Sequence, residues 1–231
     1  MEGDRASGYI FFAFYLAIYN EGRTVSHSSM KVLNPNESYT FSKIFELNAE
    51  VDDIVADFGY SLSRQRLRLS TTDQPLERLG ELRDRIEEIL PFVNLTTEMA
   101  RREILISRVV TEVVHYTHAQ LRIEYPLKVS DQLQGALDYL LRKDTQLIVI
   151  EAKKEDLTNG MKQLAVELIA LDQWTDSPQP LLLGAVTTGI LWQFEQLDRT
   201  AKHLTQGLES YRVPEDLDPL VGILVQALSE P

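Results

Sequence analysis

The chain has 231 residues, no cysteine, 44% hydrophobic and 25% charged residues, and a formal net charge of −12. That length supports one sizeable core or two small ones, and the balance of apolar and charged residues reads as a soluble globular protein rather than a disordered one. The acidity opposes nonspecific docking on a polyanion, and the lack of cysteine excludes a disulfide framework, a thiolate nucleophile and a cysteine-based zinc site, which suits a reducing cytoplasm.

In chain order, the first notable segment is Tyr9–Tyr19, an apolar run of 11 residues. It is too short to span a membrane, since a spanning helix needs about 20 apolar residues. Glu2, Asp4 and a lone Arg5 do not make the basic start of a secretory signal. The segment reads either as a short amphiphilic anchor or as residues upstream of the natural start, and Met30, which opens MKVLNPNESYTFSKIFEL, favours the second. Stable membrane insertion is not expected. Residues 1–29 are therefore taken as an N-terminal extension, 30–95 as a small α+β lead-in and 96–231 as the main domain.

In the lead-in, Tyr39–Leu47 and Leu67–Leu69 have strand character and Glu50–Phe58 reads as a short helix. Leucines and isoleucines at helical spacing predict a helix over Leu76–Leu90, stopped by Pro91. Asn94–Thr97 can cap a second helix running through Glu98–His118. Leu121–Val129, Leu133–Arg142 and Gln146–Ala152 read as three strands joined by short polar turns. A helix over Thr158–Trp174 ends before Pro178 and Pro180. Leu181–Thr187 suits a strand buried on both faces, Leu191–Leu197 a further strand, and Leu217–Leu228 a closing helix after Pro214.

The chemistry gathers between Gln134 and Lys154. If Leu133–Arg142 and Gln146–Ala152 form one hairpin, Asp138 and Glu151 can lie side by side. Within the second strand, Val149, Glu151 and Lys153 alternate onto one face and Ile148, Ile150 and Ala152 onto the other. Two carboxylates beside an ammonium make a divalent-cation site with a built-in electrophile. A phosphodiester repels hydroxide, so a hard cation held by carboxylates can neutralise charge and acidify a bound water; magnesium suits, because it takes only one or two protein carboxylates.

The order helix, three strands, helix, strand, with Asp138 followed by Glu151-Ala152-Lys153, resembles the PD-(D/E)xK phosphodiesterase superfamily, over about residues 98–197. The resemblance implies an α/β fold with a restriction-endonuclease-like αβββαβ core, a mixed central sheet flanked by helices. It further implies a Mg2+-dependent hydrolase, an endonuclease acting on DNA rather than RNA, with Mn2+ able to substitute. Asp138 and Glu151 would bind the metal, with the Ala152 carbonyl as a further ligand, and Lys153 would orient the attacking water. Glu112 is the expected third acid by its position on the first core helix, the alternative being a surface pair with Arg108. Gln163 would face the site from the following helix, or else be a solvated amide. Leu137 stands where the superfamily carries proline.

Lys154, Arg142, Lys143 and Lys162 could widen a positive rim, or simply solvate a turn and a helix. His115 and His118, spaced i, i+3, lack a sequence partner to complete a metal site. Thr187-Thr188-Gly189 with Leu191-Trp192 resembles the turn after the fourth core strand of restriction-subunit nuclease domains. The acidic balance favours action as a homodimer or within a larger assembly. It also sustains an alternative, a catalytically inactive nuclease-fold scaffold. A third reading makes the chain an unrelated α/β protein with a solvated EAKKED turn.

Overall fold

The computed structural model describes residues 31–229, so the expectations for residues 1–29 fall outside it. Two short helices, α1 (Phe41–Phe45) and α2 (Val51–Asp57), lead into strand β1 (Ser61–Gln65) and helix α3 (Leu79–Ile89). The next helical stretch has three parts: α4 (Glu98–Arg101), a π-helical turn (Arg102–Ile106) and α5 (Ser107–Thr117). Strands β2 (Gln120–Ser130), β3 (Leu133–Lys143) and β4 (Gln146–Ala152) follow, then helix α6 (Leu157–Trp174). Strands β5 (Leu181–Thr187), β6 (Leu191–Asp198) and β7 (His203–Arg212) precede helix α7 (Leu217–Ala227).

All seven strands join one mixed sheet, ordered β1-β7-β6-β5-β4-β3-β2. The β2–β3, β3–β4, β5–β6 and β6–β7 pairs are antiparallel, while β4–β5 and β1–β7 are parallel. Every residue of β4 is buried, as expected of a central strand covered on both faces. Its alternation divides two cores. Leu147 and Val149 pack with α1, α2 and α6, while Ile148, Ile150 and Ala152 pack with α3, α5 and α7. The architecture is α/β, a mixed sheet between two helical layers, and among the described residues no helix is long and apolar enough to cross a membrane.

The lead-in shares this core. Phe41, Ile44, Ile54 and Val55 pack in the cluster that contains Leu164 and Leu168 of α6, β1 pairs with β7, and residues from Lys31 onward form one compact unit. Its small elements depart from the sequence expectation. The strand expected over Tyr39–Leu47 is a bridge at Thr40, opposite Gln134, followed by α1. Thr40 Oγ1 accepts from Lys43 N at 3.1 Å, and Phe41 and Ile44, three apart, turn inward; a cap followed by i, i+3 apolar spacing specifies a helical turn. The strand expected at Leu67–Leu69 lies earlier, at Ser61–Gln65. Strand β7 had no counterpart in the sequence reading, because HLTQGLESYR lacks a sustained apolar alternation.

Candidate functional site

Asp138 and Glu151 meet where the β3–β4 ladder ends. The last recorded pair is Tyr139 opposite Ile150, so one step outward along the antiparallel register sets Asp138 beside Glu151. Asp138 Oδ2 accepts a hydrogen bond from Ala152 N at 2.8 Å. Glu151 lies at the floor, with its side chain 3% exposed; Asp138 and Lys153, each 14% exposed, reach toward solvent. Lys153 Nζ stands 2.6 Å from Glu151 Oε1 and 4.7 Å from the Phe45 ring centroid, so α1 forms one wall.

From α6, Gln163 Nε2 donates to Glu151 Oε1 at 2.7 Å and to Glu167 Oε1 at 2.8 Å. Gln163 is thus a buried link between two acids rather than a solvated amide. Burial raises the pKa of Glu151, with Asp138 adding and Lys153 opposing. The fully buried Glu167 is raised well above the ordinary carboxylate range for the same reason, and Glu151 adds to the effect. Burial also raises Asp138, against the Ala152 N–H and the charges of Arg102 and Lys153. Lys153 is drawn down by burial but raised overall by Glu151, Glu167 and Asp138. Glu151 Oε2 and Glu167 Oε2 are buried without a hydrogen-bond partner.

The helix acid differs from expectation. Glu112 is buried beside Arg78, at 3.4 Å, and not beside Arg108. Glu98 instead interacts electrostatically with Lys153, Asp138, Arg102 and Glu124, and burial raises its pKa. Glu112 lies fourteen residues farther along the helical stretch, roughly 20 Å at helical rise. Arg102 joins the cluster too, with Nη1 at 2.5 Å from Glu124 Oε1 and 3.2 Å from Asp138 Oδ1. Sequence reading missed Glu98, Arg102, Glu124 and Glu167. The i, i+4 spacing of Glu98 to Arg102 and of Gln163 to Glu167 was the available signal.

The expected positive rim is smaller than foreseen. Lys162 is buried and donates to the Leu47 carbonyl. Arg142 and Lys143 line a separate surface pocket of about 450 Å³ with His118, Gln120 and Asp144. Lys154 is exposed, next to the site in sequence.

The carboxylate oxygens suit a hard cation of magnesium type, which needs only one or two protein carboxylates and keeps its own waters. Glu151, whose Oε2 is orphaned, and the neighbouring Asp138 fit that donor chemistry. Among the described residues no three His, Cys, Asp or Glu side chains converge as a ready-made metal cage. The two acids are instead neutralised internally by Lys153 and Arg102. Neither the protein-family models nor the curated proteins include a match to this chain.

Proposed function

We propose that the protein is a Mg2+-dependent nuclease of the PD-(D/E)xK type, hydrolysing DNA phosphodiesters through Asp138, Glu151 and Lys153. One observation carries the reading: two acids from adjoining strands meet at one end of the sheet, and the ammonium two residues beyond the second acid lies on that acid. The order α5, β2, β3, β4, α6, β5 supports the αβββαβ assignment.

Asp138, Glu151 and the Ala152 carbonyl would bind Mg2+, with Glu98 as the further acid in place of Glu112. When bound, the ion supplies charge neutralisation at the phosphate and acidification of a water. Glu151 is fixed for this role by Gln163, and Asp138 by the Ala152 N–H. Released from Glu151, the Lys153 ammonium can donate to the attacking water or to a phosphate oxygen, and its half-buried setting against Phe45 strengthens that interaction. Local charge supports a polyanionic substrate: residues 98–154 have nine Lys and Arg against eight Asp and Glu, so the acidity lies in the flanks.

The test is incubation of purified protein with Mg2+ or Mn2+ and plasmid DNA. Nicking or degradation is expected, and Lys153→Ala should abolish it, a loss on the order of 10³-fold. Thermal stability should be nearly unchanged, since Glu151 can take a proton when its partner is removed. Equal activity in the two proteins would remove the mechanism.

A scaffold role is the second reading, favoured by the internal neutralisation of both acids and by the net charge of −12. Calorimetric titration with Mg2+ separates the two: binding that Asp138→Asn weakens supports the nuclease, and no binding, or binding that Asp138→Asn leaves unchanged, supports the scaffold.

A further inference from the structure

We propose that Arg102 is a phosphate-contacting arm, parked between Glu124 and Asp138 and freed from Asp138 when a divalent cation takes that carboxylate. The inference rests on the nuclease reading, because it needs Asp138 as a cation ligand. A single nitrogen of Arg102 serves both acids, 2.5 Å from Glu124 Oε1 and 3.2 Å from Asp138 Oδ1. The shared bond gives the guanidinium one anchor at the rim and one inside. The Glu124 side chain is 56% exposed, against 14% for Asp138 and 18% for Arg102 itself. The guanidinium also lies over the Tyr139 ring, 5.2 Å from its centroid and within cation–π range.

The backbone is shaped around this arrangement at both ends. Glu124 adopts φ 50 within β2, between the regular pairs Ile123–Tyr139 and Tyr125–Leu137, and so faces Asp138 across the ladder. A non-glycine residue in the left-handed region of a strand is strained, and such strain persists where neighbours enforce it, often at working sites. Arg102 itself opens the π-helical turn, a distortion that also recurs at functional sites. The neighbouring Arg101 is committed elsewhere, to the Thr188 carbonyl at 3.0 Å.

The consequence follows from charge. A divalent cation on Asp138 repels the guanidinium, and Glu124 keeps it close while its remaining donors turn outward. A planar fork of donors matches phosphate oxygens, so the freed arm would engage a phosphate beside the one attacked. Arg102 therefore competes with the metal when substrate is absent and cooperates with it when substrate is bound.

The test uses the full chain and its variants R102M, R102K and E124Q, each checked for wild-type melting. Mg2+ affinity is measured by calorimetry, and affinity for a fluorescein-labelled duplex oligonucleotide by anisotropy in Ca2+. R102M should bind Mg2+ several-fold more tightly yet lose about tenfold in oligonucleotide affinity, the equivalent of one charge-assisted contact. E124Q should bind Mg2+ several-fold more weakly, because Arg102 then rests wholly on Asp138. R102K, which keeps the charge without the fork, should bind Mg2+ like the wild type and the oligonucleotide at an intermediate level. If R102M lowers both affinities, or changes neither, while the wild type binds Mg2+, the role of Arg102 is overturned alone. A wild type that takes up no Mg2+ overturns the metal reading and this inference with it.

Discussion

Two glutamates lie under α6 on the same face of the sheet, Glu151 on β4 and Glu195 on β6, and burial raises the pKa of both. Glu195 pairs in register with Gly184, whose absent side chain leaves space filled by Leu164. Its carboxyl is sealed in, both oxygens lack a hydrogen-bond partner, and its pKa is pushed up to about 8 against the opposing effects of Gln206 and Arg64. Glu151 is nearly as buried, but it has an ammonium on one oxygen, a second acid alongside and a route to solvent through Asp138 and Lys153. Burial makes a carboxyl neutral; an adjacent titrating partner with access to water makes it usable.

The largest expected effect separates the two directly. Glu151→Gln should reduce DNA cleavage on the order of 10³-fold, while Glu195→Gln leaves the rate unchanged, as measured on plasmid substrate. Equal losses would show that the contrast is about packing rather than chemistry.

Stability against pH gives the next contrast. Folded Glu195 retains its proton up to about pH 8, whereas its ordinary value is 4.5. The native state therefore binds more protons in that window, and its stability falls as pH rises from 4.5 to 8 and levels off above. Melting curves of the wild type should decline more steeply between pH 5 and 9 than those of Glu195→Gln, by roughly 2–4 °C for each kcal/mol involved. Parallel curves would mean that Glu195 ionises freely when folded.

The smallest effects come from two close contacts. A methyl added at Gly184 would lie 2.7 Å from Leu164 Cδ1; one added at Gly160 would lie 2.6 Å from Val186 Cγ2 and 3.0 Å from Lys153 Cγ. Both Gly→Ala changes should destabilise by about 1–3 kcal/mol through overpacking, partly offset at Gly160 by helix propensity. Only Gly160→Ala should also slow cleavage, about tenfold, because it displaces the stem of Lys153. A Gly184→Ala protein with the same kinetic loss would indicate coupling across the sheet.

Legibility in the sequence followed local pattern. Alternation in Gln146–Ala152 placed Glu151 and Lys153 on one face, and the hairpin placed Asp138 beside them, because a two-residue period and a short turn leave little freedom. The order of elements from Glu98 to Asp198 was equally readable. Glu98 was not, since its approach to Asp138 depends on where the helix starts relative to a sheet formed later in the chain. Glu112 misled because the surrounding valines marked burial correctly, but the neighbour that covers it is Arg78, not the acidic cluster. Glu124 needs a backbone excursion that a strand pattern cannot signal, and Glu167 is a buried acid in an otherwise apolar stretch of α6.

The π-helical turn at Arg102–Ile106 lets one continuous rod obey two angular settings. An inserted residue offsets everything before it by about 100° relative to everything after it. Before the turn and at its first residue, Glu98 and Arg102 face the acids; after it, Val109, Val110 and Val113 lie in the core cluster that holds Tyr139, Ile148 and Ile150. Removing one residue there would restore a single azimuth, and either the acidic cluster or the valine seam would rotate out of alignment. The irregularity separates the bearing of the acidic cluster from that of the packed valines, so substitutions that reshape one half of the rod need not disturb the bearing of the other.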